Sequence, residues 1–210
     1  MDMDNGAGAH SLVLNFTVQS QSRPGQPQCE VQGSVDKEPF FQYDSDSNEV
    51  KPLGVLGEKV KATKTWTELP QMLQDEGKEL RMILAAIKLD RNKTRGPPTL
   101  QAEASCRCEG EQCTAGPWKF SFNGKTALLF DPRSMNWTFV DPGASGNKEN
   151  WEHLEEEFKK LSKGHCKCWL RKFLVHWEGV LEPTAQEFPP SLSNDPGIRD
   201  YQMAPNLYAL

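Results

Sequence analysis

One order of elements occurs twice along this chain: a group of short strands with alternating apolar residues, followed by a long amphipathic helix. The first strand group runs from residue 11 to residue 51 and its helix from 58 to 90. The second group runs from 99 to 140 and its helix from 147 to 181. Strand groups that each lead into a helix can merge into one sheet with both helices on the same face. The doubled order therefore predicts an α+β platform.

Each predicted strand has one apolar side and one polar side. The inward side comprises Leu12, Leu14, Phe16, Val18, Cys29, Val31, Val35, Leu100, Ala102, Ala104, Cys106, Cys108, Trp118, Phe120 and Phe122. A strict period of two with one polar side is typical of an antiparallel sheet that packs on one face and meets water on the other.

Both helices carry apolar residues at a spacing of three and four. The stripe of the first helix comprises Trp66, Leu69, Met72, Leu73, Leu80, Ile83, Leu84 and Ile87. That of the second comprises Trp151, Leu154, Phe158, Leu161, Cys166, Trp169, Leu170, Phe173, Leu174 and Trp177. Pro70 predicts an early bend or restart in the first helix. Ser162-Lys-Gly164 predicts a break in the second.

Length and charge limit the class of protein. A chain of 210 residues with 37% apolar content can bury one core, and we expect one domain. The predicted division is an N-terminal extension at 1–9, the platform at 10–183 and a disordered Pro- and Ser-rich tail at 184–210. A net charge of −5 with interspersed signs argues against nucleic acid as a partner.

The cysteines and glycan acceptor sequences indicate the compartment. Six cysteines accompany three Asn-x-Thr triplets, which begin at Asn15, Asn92 and Asn136. The combination favours an extracellular, disulfide-bonded glycoprotein. No signal peptide or membrane-spanning segment is visible in the sequence. We therefore expect a processed or truncated chain, or an atypical isoform. It would be secreted, or would meet a membrane only through an anchor that this chain does not show.

The cysteine spacing predicts one disulfide. Cys106 and Cys108 are two apart on a strand and share the face beneath the helices. Cys166 and Cys168 are two apart on a helix, about 200° around it, and only Cys166 shares the apolar stripe. We pair Cys166 with the strand, preferably through Cys106, and this bond would contribute roughly 4 kcal/mol. A second bond, for example from Cys108 or Cys113 to Cys168, stays open.

Sites with metal or catalytic chemistry are disfavoured. A zinc site would use His165 with the cysteines at 106, 108, 113, 166 and 168, but C-x-C is not the usual zinc spacing and two of these ligands diverge on a helix. His165 and Cys166 point about 100° apart, so they do not form a nucleophile pair. Asp44, Asp46 and Asn48 lack the remaining residues of a calcium loop and predict a polar hairpin turn. We predict no enzyme, no metal and no cofactor.

Several ordered blocks resemble a known family. They are His10-Ser-Leu12, Arg23-Pro-Gly-Gln-Pro-Gln-Cys29, Phe41-Gln-Tyr-Asp44, Pro52-Leu-Gly54, Thr99-Leu-Gln-Ala102, Trp118-Lys-Phe-Ser-Phe122, Leu128-Leu-Phe-Asp131 and Lys167-Cys-Trp-Leu-Arg-Lys-Phe173. Together they resemble the retinoic acid early transcript family, also called the UL-sixteen-binding proteins, and its early-transcript-E-like branch in particular. The resemblance implies an MHC class I-like alpha-1/alpha-2 platform. Such a platform has about eight antiparallel strands and two long helices, without an immunoglobulin domain, beta-2-microglobulin or bound peptide.

The family also implies a partner. Its members are ligands of the homodimeric receptor natural killer group 2 member D, which straddles the two helices and activates natural killer and cytotoxic T cells. The outward positions near the helix centres that we predict as receptor contacts are Gln74, Lys78, Arg81, Met82, Glu155, Glu156, Lys159 and Lys160. Several members pair the cysteine at the Cys29 position with one sixteen residues later, which here is Ser45.

Two alternatives to an activating ligand remain at this stage. A soluble decoy would occupy the same receptor without linking two cells. A groove that presents a small apolar molecule would need the helices to stand apart. The bulky residues that could close such a groove are Trp66, Met72, Phe158, Trp169 and Phe173.

Overall fold

A computed structural model of the chain describes residues 8–19, 25, 27–90, 99–122, 124–140, 159 and 165–181; side chains at 85–90 and 139 are not among those described. Residues 11–180 form one compact unit. Residues 1–10 and 181–210 form a second unit, of which only 8–10 and 181 are described. The domain boundaries inferred from the sequence therefore stay predictions.

The first half of the chain has the expected order. Its strands and helices are β1 (Ala9–Gln19), β2 (Cys29–Val35), β3 (Glu38–Asp44), β4 (Glu49–Pro52), α1 (Gly54–Val60) and α2 (Lys64–Asp90). The second half comprises β5 (Thr99–Glu109), β6 (Gln112–Ala115), β7 (Trp118–Phe122), β8 (Lys125–Asp131), β9 (Asn136–Phe139), α3 (Cys166–Leu174) and a 3₁₀ turn (Val175–Trp177).

The strands form one sheet in the order β4-β3-β2-β1-β5-β7-β8-β9, and β6 pairs with β5 outside this path. Strands β1 and β5, which begin the two groups, are neighbours at the centre, so the two halves merge as the doubled order predicts. Every strand residue predicted to point inward is buried. The described residues contain no immunoglobulin domain, and the class I-like platform fold is confirmed.

The two halves share an irregularity that alternation did not predict. The register of β2 against β3 shifts after Gly33, and Phe40 is left without a Cα partner. The register of β7 against β8 shifts after Phe120, and Ala127 is left out in the same way. Phe40 and the following Phe41 are both buried, as are Ala127 and the following Leu128. These are β-bulges, which interrupt the alternation of a strand.

The first helix differs from its prediction. A separate helix, α1, already begins at Gly54, and the chain restarts as α2 after residues 61–63. Thr63 begins α2 because its hydroxyl accepts a 3.2 Å hydrogen bond from the Trp66 N–H, as an N-cap does. The prediction of a restart at Pro70 is wrong, since α2 continues through that residue. Proline removes one backbone donor, but its fixed φ is compatible with a helix.

Only part of the second predicted helix is described. Residue 159 and α3 are helical, and Cys166, Trp169, Leu170, Phe173 and Trp177 are buried as expected. Its other stripe residues Trp151, Leu154, Phe158 and Leu161, and the break predicted at 162–164, lie outside the described residues.

Aromatic side chains fix the helices to the sheet. The ring of Phe40 meets Phe173 edge-on at 5.6 Å between centroids and Trp177 at 5.0 Å, while Phe41 meets Trp66 at 6.2 Å. The indole N–H of Trp177 donates a 2.9 Å hydrogen bond to the carbonyl oxygen of Leu56 in α1. The bulge at Phe40 thus supplies the ring that joins α3 to the sheet.

Candidate functional site

A line of exposed side chains runs along the outer side of α2. Gln71, Asp75, Lys78 and Met82 follow one another at a spacing of four, three and four, so they lie on one side of the helix. We call these four residues the α2 ridge. The Gln71 amide donates a 3.1 Å hydrogen bond to the Asp75 carboxylate, and 52% of Met82 is exposed. The ridge therefore presents one large apolar side chain among polar and charged ones.

The contacts predicted on α2 divide between the ridge and its flank. Lys78 and Met82 lie on the ridge, Arg81 is exposed beside it, and Gln74 is half-buried. The prediction omitted Gln71 and Asp75, although their spacing from Lys78 could have identified them.

The contacts predicted on the second helix are only partly described. Lys159 is exposed, while Glu155, Glu156 and Lys160 lie outside the described residues. Within α3, Lys167, Arg171 and Lys172 are exposed, so its outer face is basic.

One flank of α2 passes close to the first residue of β2. A side-chain carbon added at Gly77 would lie 3.1 Å from Sγ of Cys29, so this helix and strand approach more closely than most residues would allow. Burial raises the pKa of the Cys29 thiol to about 12; Glu30 adds to the rise and Arg81 opposes it. The thiol is therefore protonated at neutral pH and does not act as a nucleophile.

The buried stripe of α2 contains a carboxyl group. Glu76 is 8% exposed, and its Oε1 atom has no hydrogen-bond partner in the part of the chain that the structure describes. Burial raises the pKa of Glu76 to about 8, with a further contribution from Asp75. The sequence prediction missed Glu76, although its spacing from Leu69, Leu73 and Leu80 places it in the stripe.

Large side chains occupy the region where an apolar molecule would need space. Trp66, Trp169 and Phe173 are buried, and Met72 is half-buried. The ring of His165 stacks on Trp169 at 5.5 Å, and burial lowers the pKa of this histidine while Asp75 opposes that shift. Phe158 lies outside the described residues.

Two disulfides use four of the six cysteines. Cys106 joins Cys166 with 5.9 Å between their Cα atoms, which ties α3 to β5. Cys108 joins Cys113, its direct partner in the β5–β6 register. This second bond corrects the option of a bond to Cys168, because the hairpin already places Cys108 and Cys113 4.0 Å apart at Cα. Cys29 is free and buried, and Cys168 is free and exposed.

The structure also describes residues considered for a metal site, for a calcium loop and for glycan attachment. No group of three or more His, Cys, Asp or Glu residues among them is arranged to hold a metal ion. Residues 44–48 form a turn in which the Asp46 N–H donates to the Asp44 carboxylate at 2.8 Å and the Tyr43 hydroxyl donates to the Asn48 side chain at 2.7 Å. Asn15 and Asn136 are exposed, and Asn92 lies outside the described residues.

Within the described ranges, no helix combines the length and the apolar character needed to cross a membrane.

Comparison with known proteins identifies relatives. Residues 8–179 match the family model for the class I histocompatibility antigen, domains alpha 1 and 2. The chain is 53% identical over 180 residues to retinoic acid early transcript 1E from Homo sapiens, covering 84% of this chain and 68% of the relative. It is 41% identical over 187 residues to UL16-binding protein 1 from Homo sapiens, covering 88% and 75%. The identity to UL16-binding protein 2 from Homo sapiens is 38%, covering 85% and 74%.

Proposed function

The chain belongs to the class I histocompatibility antigen family, in its group of retinoic acid early transcript and UL16-binding proteins, and from that premise we propose that it is a ligand of the receptor natural killer group 2 member D. The group consists of extracellular immune ligands and not of enzymes. The receptor binds the outer sides of α2 and of the second predicted helix, which includes Lys159 and α3. Binding activates natural killer and cytotoxic T cells and promotes killing of the cell that displays the ligand.

The exposure of Met82 on the α2 ridge is the observation that carries this proposal. Methionine and arginine are enriched in protein interfaces relative to the rest of the surface, and burying an exposed apolar side chain on binding is favourable. Lys78 and Arg81 place exposed cationic groups near Met82. A methionine side chain also adapts its shape to a partner surface more readily than a branched one.

The packing beneath the helices also favours their outer faces as the receptor-binding surface. The burial of Trp66, Trp169 and Phe173 leaves little room there for an apolar molecule. The outer faces are therefore the part of the helix layer that a partner can reach. The bond between Cys106 and Cys166 holds α3 on the sheet, so its outer face keeps a constant orientation. A rigid surface binds with a smaller loss of conformational entropy than a mobile one.

Receptor binding can be tested with matched substitutions. The glycosylated chain is passed over immobilised receptor homodimer, with a receptor-blocking antibody as control. Arg81→Ala and Met82→Ala are each expected to weaken binding about tenfold, since a centrally placed contact contributes more than 1 kcal/mol. Neither should change the melting temperature, because both side chains are exposed.

Two substitutions away from the helices serve as controls. Arg107→Ala removes an exposed arginine from β5, and Met135→Ala removes a methionine that is 38% exposed between β8 and β9. Both should leave receptor affinity unchanged. Absence of binding by the unmodified chain at micromolar concentration would exclude the receptor. Normal binding by both the Arg81 and Met82 variants would exclude the outer side of α2 around Met82 as the contact surface.

Activation needs a separate cell assay. Chain fixed to a plate is expected to trigger degranulation of natural killer cells, and the Met82→Ala variant to trigger less. If the fixed chain binds the receptor but produces no degranulation, and the soluble chain inhibits killing of ligand-bearing cells, the decoy function is the correct one.

A further inference from the structure

A groove of about 190 Å³ lies on the open face of the sheet, between β1, β5 and β7. The residues that line it are Asn15, Phe16, Thr17, Gln101, Ala102, Glu103, Lys119 and Ser121. Phe16 and Ala102 are buried on the helix side of the sheet, so they contribute only backbone to the floor. The other six supply polar side chains, and the groove therefore suits a polar ligand.

Three of the polar side chains in the groove are available for hydrogen bonding. Gln101 lies opposite Ser121 and Glu103 lies opposite Lys119 in the β5–β7 register, which brings donors and acceptors together on one face. In the described part of the chain, the side chains of Gln101, Glu103 and Lys119 make no hydrogen bond or ion pair with other residues. A ligand with several hydroxyl and amide groups could satisfy them without breaking an existing contact.

We propose that this groove holds the first sugar of an N-linked glycan on Asn15. Asn15 and Thr17, the first and third residues of the acceptor triplet, both line it, because residues two apart on a strand point to the same face. In the modification, the Asn15 amide nitrogen bonds to C1 of N-acetylglucosamine as the bond between C1 and the lipid diphosphate oxygen breaks, and the amide proton passes to water. The sugar is transferred from a lipid-linked oligosaccharide diphosphate, and the lipid diphosphate is the leaving group.

The attachment point dictates where the first sugar lies. Asn15 is in a central strand, with β2 on one side and β5 on the other, so a sugar bonded to its side chain must extend over the sheet. The neighbouring side chains of Gln101 and Lys119 can donate to its oxygens, and Glu103 can accept from its hydroxyl or amide groups. The groove has room for one monosaccharide, and the outer sugars continue into solvent.

The second described acceptor, Asn136, provides a matched comparison. Asn136 is exposed on β9, the last strand in the sheet order, so among the described strands β9 has a neighbour on one side only. It does not line the groove. A glycan at Asn136 therefore makes fewer contacts with the sheet, and its removal should have a smaller effect.

The experiment uses protein secreted from human cells and trimmed to a single N-acetylglucosamine at each site. Intact mass gives the occupancy of Asn15, which must be glycosylated if the proposal holds. Thr17→Ala removes the acceptor triplet, and we expect it to lower the melting temperature by about 2–4 °C. Thr17→Ser keeps the triplet and should restore the melting temperature. Thr138→Ala, which removes the Asn136 site, should change it by less.

A second measurement separates the sugar from the role of the threonine itself. With an isotopically labelled acetyl group on the sugar, we expect nuclear Overhauser contacts from that group at Asn15 to the side chains of Gln101 and Lys119. Gln101→Ala should lower the stability of the glycosylated chain more than it lowers the stability of the Thr17→Ala chain. The Thr17→Ala chain lacks the Asn15 sugar, so it has no contact with Gln101 to lose. An unoccupied Asn15, absent contacts, or equal effects of Gln101→Ala in both backgrounds would overturn the proposal.

Discussion

The backbone N–H of Cys29 donates a 3.0 Å hydrogen bond to Oγ of Ser45, and the N–H of Ser45 donates a 3.0 Å hydrogen bond to the carbonyl oxygen of Cys29. These reciprocal bonds join the start of β2 to the residue after β3. The family resemblance places a disulfide at this pair of positions in several members. The structure therefore brings the two positions together although the second cysteine is absent.

Ser45→Cys is expected to form a disulfide with Cys29. The bond would close a loop of sixteen residues and stabilise the chain by about 3 kcal/mol. Thiol titration in denaturant should show one free thiol, that of Cys168, where the unmodified chain shows two. Ser47→Cys, at an exposed turn position, should leave all three thiols free. If Ser45→Cys also leaves three, the predicted bond does not form.

The two disulfides should differ in their contribution to stability. Replacing Cys106 and Cys166 by alanine opens a loop with a sequence separation of 60 and is expected to lower the free energy of unfolding by about 4 kcal/mol. Replacing Cys108 and Cys113 by alanine opens a loop with a sequence separation of only 5 and is expected to lower the free energy of unfolding by about 2 kcal/mol. Urea unfolding of both double variants measures this difference. An equal loss in the two would contradict the loop-entropy argument.

Glu76 should make the stability of the chain depend on pH. Its pKa is about 8 in the folded chain against an ordinary value of 4.5, so the unfolded state loses its proton at lower pH. The free energy of unfolding therefore falls as pH rises from about 4.5 through about 8. Glu76→Gln removes this dependence and should stabilise the chain at pH 9 by on the order of 5 kcal/mol, but far less at pH 4.

Chemical unfolding of Glu76→Gln between pH 4 and pH 9 measures that effect. Glu111→Gln serves as the control, because Glu111 is an exposed carboxyl group between β5 and β6. We expect it to change stability by less than about 0.5 kcal/mol. The same pH dependence in Glu76→Gln and in the unmodified chain would show that Glu76 ionises normally.

Gly33 is required by the ring that lies over it. A side-chain carbon at this position would lie 2.0 Å from Cε2 of Phe41, its partner in the β2–β3 register. Phe41 is fully buried between Phe40 and Trp66, so it has little freedom to move. Gly33→Ala is expected to cost about 1–3 kcal/mol.

A double variant identifies the cause of that cost. Phe41→Leu should lower the stability of the Gly33→Ala chain less than that of the unmodified chain, since it removes the clashing ring. Ser34→Ala, at the neighbouring half-buried position, should have a small effect. Additive losses for Gly33→Ala and Phe41→Leu in thermal unfolding would refute the proposed contact.

Local patterns were sufficient to predict the platform. The period of two along β1 predicted the inward residues from Leu12 to Val18, and all of them are buried. The angle between Cys166 and Cys168 on a helix indicated which of the two faces the sheet, and the structure joins Cys166 to Cys106. These inferences succeed because side-chain direction in a strand or helix depends on the backbone of that element alone.

Contacts between elements decided the features that local patterns did not predict. The bulges at Phe40 and Ala127 and the bond between Cys108 and Cys113 follow from the register of neighbouring strands, which no single strand specifies. The groove beside Asn15 exists because β1, β5 and β7 come together, although β1 and β5 belong to different halves of the chain. The sequence by itself thus determined the faces of each element and the order of the elements. Register and cavities arose only when distant segments packed together, because each depends on the atoms of at least two elements.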